Sequence, residues 1–104
     1  MADASRVAEL VQDVRDTLEV GSYGLYELVW TLNSGYPELS PHEKIDDAQA
    51  AVEQLVEDGD VQIAVLTWPS EDFQRVIPIE QLTAASYEPP SDGLPYLALV
   101  SARS

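Results

Sequence analysis

Apolar positions recur at helical spacing in three stretches of the chain and at strand spacing in two later ones. Val7, Leu10, Val11, Val14 and Leu18 stand three and four residues apart, which gathers them on one side of a helix over residues 5–18. Asp13, Asp16 and Glu19 fall on its other side with Arg6 and Arg15. Glu19-Val20-Gly21-Ser22 breaks the pattern, and a second helix follows over 22–33 with Leu25, Leu28, Val29 and Leu32 as its stripe. Tyr23, Tyr26 and Trp30 add a second apolar sector. A helix apolar on two sides belongs in the middle of a fold, with Trp30 packed in the core. Asn33-Ser34-Gly35-Tyr36-Pro37 ends it with turn formers.

The stretch over residues 40–68 organises the rest. Ser40 is a good N-cap, Pro41 suits the first helical position, and Glu43 can close a capping box back onto Ser40. Ile45, Ala48, Val52, Leu55 and Val56 then share a face of a third helix over 41–58. Gly59 stands where a helix needs a left-handed residue to stop. The run over 61–68, Val-Gln-Ile-Ala-Val-Leu-Thr-Trp, reads as an unbroken strand. Pro69-Ser70-Glu71-Asp72 is a turn, and Arg75-Val76-Ile77 is a short extended piece. Pro78 opens a short helix over 78–85, with Ile79 and Leu82 facing inward. The prolines and glycine of 87–93 exclude helix and central strand. Residues 96–101 form a final strand, placed to pair antiparallel with 61–68.

The fold class is therefore α+β. The order of elements resembles the winged-helix superfamily, as do Leu25-Tyr26-Glu27-Leu28-Val29-Trp30 in the second helix and the Gly59 turn before the strand. The resemblance covers residues 5–68. It implies a three-helix winged-helix-like domain with an antiparallel β-hairpin, whose wing carries a long insertion with a short helix. One domain then spans 1–104: three-helix core and first strand over 5–68, insertion over 69–93, last strand over 94–101. Glu43-Lys44-Ile45, Trp68-Pro69 and Tyr87-Glu88-Pro89-Pro90 are also similar to a group of small acidic bacterial proteins, a likeness that implies no activity.

Charge changes this picture. The chain carries 19 acidic residues against 5 basic ones, a formal net charge of −14. A winged-helix DNA reader lays the exposed face of its third helix in the major groove. Here that helix offers Glu43, Asp46, Asp47, Glu53, Glu57 and Asp58 against Lys44 alone. Phosphate contacts need Lys and Arg for affinity and register, so direct DNA binding is disfavoured. The same field repels anionic membranes and attracts basic proteins, although an acidic, lysine-poor surface also suits a salty cytosol. No apolar run approaches the roughly 20 residues of a membrane span. The first residues lack a signal-peptide pattern, and a cytoplasmic protein is expected.

The chemistry a catalyst needs is hard to assemble from these residues. His42 is the single histidine and sits beside a helix N-cap; alone it builds neither a zinc site nor a Ser-His-Asp set. There is no cysteine for a disulfide or a thiolate metal site. Asp46 and Asp47 point in two directions round a helix and form no carboxylate dyad. Asp58-Gly59-Asp60 reads as a helix stop, and Gly21-Ser22-Tyr23-Gly24 lacks the lysine of a phosphate loop. No catalytic residue, metal or cofactor is expected.

Two functions from different classes fit. The first is a non-catalytic protein-binding module, an immunity protein or antitoxin that neutralises a basic toxin domain by occluding its active cleft. Its contacts would be Glu43, Asp46, Asp47, Glu53 and Glu57, with Trp68 or Phe73 as an aromatic anchor. The alternative is a winged-helix transcriptional regulator or dimerising adaptor, a homodimer through the first helix. That reading requires Arg6, Arg15, Arg75 and Arg103 to gather into one basic strip.

Overall fold

The computed structural model describes residues 3–67, 72–87 and 95–102. Helix α1, Ala4–Leu18, opens at Asp3, whose carboxylate accepts the backbone N–H groups of Ser5 and Arg6 at 3.0 and 3.1 Å. Two of the donors that a helix start leaves unpaired are thereby satisfied. Val7, Leu10, Val11 and Val14 turn inward, as their spacing predicts.

The second helix begins later than its apolar pattern suggests. Tyr23–Gly24 forms a short strand, β1, and α2 runs from there over Leu25–Gly35. Gly24 is the N-cap, and its N–H donates to the Glu27 carboxylate at 2.6 Å. A side chain at Gly24 would run into the Tyr26 ring, which folds back over it. Leu25, Tyr26, Leu28 and Leu32 are buried, but Trp30 is 53% exposed, contrary to its expected place in the core. It lies about 200° round the helix from Leu28 and stands edge-on against Tyr26, ring centroids 4.8 Å apart.

Helix α3, Pro41–Glu57, starts as expected: the Ser40 hydroxyl accepts the Glu43 N–H at 3.2 Å, and Pro41 occupies the first turn. At its other end Gly59 adopts φ +78°. The N–H groups of Gly59 and Asp60 donate back to the carbonyls of Val56 and Leu55 at 3.1 and 3.2 Å. This paired closure depends on a left-handed residue, and it turns the chain directly into the sheet.

Strands β2, Val61–Thr67, β3, Asp72–Ile77, and β4, Pro95–Ser101, complete a four-stranded antiparallel sheet among the described residues, in the order β1-β4-β2-β3. The expected pairing of the last strand with β2 holds from Val61 opposite Ser101 to Thr67 opposite Pro95. The extended piece at 75–77 is longer than expected. It becomes β3 at the sheet edge, with a register shift between Val65 and Leu66 of β2. The short helix expected over 78–85 is instead two 3₁₀ turns, Ile79–Gln81 and Ala84–Tyr87, separated by extended backbone at Leu82. So short a segment does not nucleate an α-helix. Ile79 and Leu82 nevertheless pack against the core.

One face of the sheet, with Val61, Ile63 and Leu99, joins the apolar stripes of the three helices. On the other, Ala64, Leu66, Tyr96 and Ala98 pack with Tyr26. Burial on both faces is why β2 reads as a continuous apolar run rather than an alternating one.

The glycines separate conformation from packing. Gly59→Ala should lower stability by about 1 kcal/mol through its positive φ. Gly35→Ala ends α2 in open space and should raise stability by roughly 0.5 kcal/mol. Urea-denaturation midpoints moving in opposite directions would check the pair.

Candidate functional site

The predicted acidic set does not form one surface. Asp47 has no exposed surface at all, which corrects its placement among the partner contacts. It falls on the side of α3 that faces α1, where Arg6 Nε donates to its Oδ2 at 2.5 Å and the Asp3 N–H donates to its Oδ1 at 2.9 Å. Every buried side-chain polar atom among the described residues has a partner, so Asp47 is fully satisfied where it lies. Glu43, half-buried, sits within the field of the same guanidinium and belongs to this flank. Asp46 lies round the helix from Asp47, with His42 Nε2 3.5 Å from its carboxylate.

Glu53 and Glu57 are exposed, one turn apart in the C-terminal half of α3. Phe73 stands opposite Leu66 in the β2–β3 pairing, and Trp68 lies outside the described residues.

What the topology adds is the 3₁₀ turn Ile79–Gln81, laid beside the end of α3. Between them runs an open groove of about 520 Å³. Half-buried Val56, Ile79 and Leu82 form its apolar lining, and exposed Glu53, Glu57 and Glu80 form its acidic rim with Gln49. None of the three glutamates is ion-paired among the described residues. Glu80 and the apolar lining escaped the sequence reading. Ile79 and Leu82 carried an inward signal, but nothing local joined them to a helix more than twenty residues earlier.

The groove is tied to the core by a short relay. The buried Tyr87 hydroxyl donates to Gln49 Oε1 at 2.5 Å, and Gln49 Nε2 donates to Glu53 Oε1 at 3.2 Å. Burial first, and then the charge of Glu53, push the Tyr87 hydroxyl well above the ordinary phenol range. Tyr23 is pushed the same way, by burial and by its 2.6 Å hydrogen bond to Asp13. The carboxylates at the rim can accept hydrogen bonds from donors outside the chain. Among the described residues, no three His, Asp or Glu side chains are grouped as metal ligands would be.

Among the described residues Arg6 and Arg15 stand at opposite ends of α1, each ion-paired with carboxylates. Arg6 is held by Asp47 in the first turn of α1. In its last turn Arg15 Nη2 binds Asp58 and Asp60 at 3.0 and 2.8 Å. Arg75 is exposed on β3, and Arg103 lies outside the described residues. No helix of the described residues is long and apolar enough to cross a membrane. No family model, curated protein or solved structure matches the chain.

Two outcomes follow. Asp47→Ala removes the one carboxylate that holds the start of α1 to α3, and should cost about 3 kcal/mol in chemical denaturation. At high pH the tyrosines dominate. Both Tyr23 and Tyr87 are raised in the folded state, so the stabilisation is complete below the unfolded phenol value of about 10 and is lost as pH rises through the folded values. Urea midpoints should fall above about pH 10, and Tyr23→Phe with Tyr87→Phe should flatten that fall.

Proposed function

We propose that this chain is a non-catalytic protein-binding module whose acidic groove, between α3 and the 3₁₀ turn at Ile79, receives a basic protein. Its concrete form is a cytoplasmic immunity protein that occludes the substrate cleft of a cationic toxin domain. The observation that carries the reading is the meeting of Glu53, Glu57 and Glu80, none of them ion-paired among the described residues, around an apolar lining. Carboxylates so placed stand where a cationic cleft would hold phosphates. A net charge of −14 steers a basic partner toward them and raises the association rate more than the final affinity. Asp46 extends the acidic face along α3. Glu80 takes the place in the contact set that Asp47 vacates.

The fold is read as winged-helix-like. Supporting this are the order α1, β1, α2, α3, β2, and the pairing of β4 with both β1 and β2. On that reading β3 and the 3₁₀ turns are the insertion in the wing. The regulator alternative draws support from this topology but not from the side chains, because Arg6 and Arg15 are engaged in ion pairs with carboxylates.

Immobilised protein, exposed to extract of its own source at moderate and then high salt, should retain one basic protein stoichiometrically and inhibit it. A folded Glu53→Lys/Glu57→Lys variant should associate at least about tenfold more slowly and show a weaker salt dependence. Unchanged association in that variant would sink the site, and retention of DNA in place of a protein would favour the regulator.

A further inference from the structure

We propose that the groove takes an amphipathic basic helix of the partner, with one apolar side chain seated on Val56, Ile79 and Leu82 and flanking Lys or Arg residues reaching Glu53, Glu57 and Glu80. This deepens the protein-binding reading and rests on it.

Charge complementarity selects the occupant. The rim holds three carboxylates that are in no ion pair among the described residues, on a chain whose net charge is −14. A second copy of this chain would bring the same charge to the same place, so self-association is opposed. Nucleic acid and anionic lipid are opposed likewise. The occupant is cationic.

The walls of the groove disfavour an extended occupant. One is α3, whose backbone donors and acceptors are taken by its own helix. The other is a 3₁₀ turn, where Leu82 N–H donates to the Ile79 carbonyl at 3.1 Å and Gln81 N–H to the Pro78 carbonyl at 3.1 Å. Neither wall presents a strand edge, so an extended peptide would find no ladder to join. An occupant entering an apolar groove must satisfy its own backbone, and a helix does so.

The length of the groove suits a short helix. From Gln49 to Glu57 the lining covers about 12 Å of α3 at the helical rise, roughly two turns of a docked helix. A single apolar residue with basic neighbours three or four positions away fills that span. Oligolysine, which has the charge without the anchor, does not.

The probe is a 14-residue amidated peptide of lysine, leucine and alanine whose leucines fall on one helical face. A second peptide has the same composition, shuffled to destroy that face. Calorimetry at physiological salt should show the first binding at least about tenfold tighter than the second, with helicity rising on binding by circular dichroism. Leu82→Ala and, at an exposed position that does not threaten folding, Glu80→Lys should each weaken it severalfold. Equal affinity for the two peptides, or indifference to both substitutions, overturns the proposal. Failure of the broader reading looks different: the natural partner's association then ignores Glu53→Lys/Glu57→Lys. If the natural partner's association falls with Glu53→Lys/Glu57→Lys but its affinity ignores Leu82→Ala, the acidic contact stands and the helical anchor is overturned.

Discussion

The contact between Asp47 and Arg6 fixes how the first helix meets the third. A carboxylate without exposed surface is tolerable only if its charge is met and its oxygens are hydrogen-bonded, and both conditions are fulfilled from one end of α1. Asp3 is bound twice over: its side chain caps α1 while its backbone N–H reaches Asp47. The cap and the buried pair therefore form one unit, and α1 cannot slide along α3 without breaking both. With α1 so held and Gly59 turning α3 into β2, the outer flank of α3 is left facing solvent, and the 3₁₀ turn after β3 comes to rest beside it.

The acids of α3 divide by role because a helix has sides. The flank toward α1 uses Asp47 for structure, and Glu43 shares the field of Arg6. The outer flank keeps Glu53 and Glu57 exposed, within reach of Glu80 from another part of the chain. Like charges gathered without a cation oppose folding and favour anything that brings positive charge.

Much of the scaffold was legible because its signals are local. Ser40, Pro41 and Gly59 mark the ends of α3 by chemistry that acts within a few residues, and the stripe from Val7 to Val14 declares its inward side. Trp30 was misread because two apolar sectors on a helix do not say which one is covered. The second sector here holds Tyr26 against the outer face of the sheet and leaves Trp30 half in solvent. Asp47 was misread for the converse reason: a carboxylate in a run of polar residues looks exposed until a distant arginine is placed against it. The groove lay beyond sequence reasoning because its two walls are more than twenty residues apart in the chain.

The position of β3 has a consequence for how copies of the protein coexist. Its outer side pairs with no other strand of the described sheet, and an open edge is a template on which another chain can build. A net charge of −14 opposes the approach of two such edges. Acid or concentrated salt weakens that repulsion, the Debye length shrinking to about 3 Å at 1 M, and leaves the edge to its own hydrogen-bonding appetite.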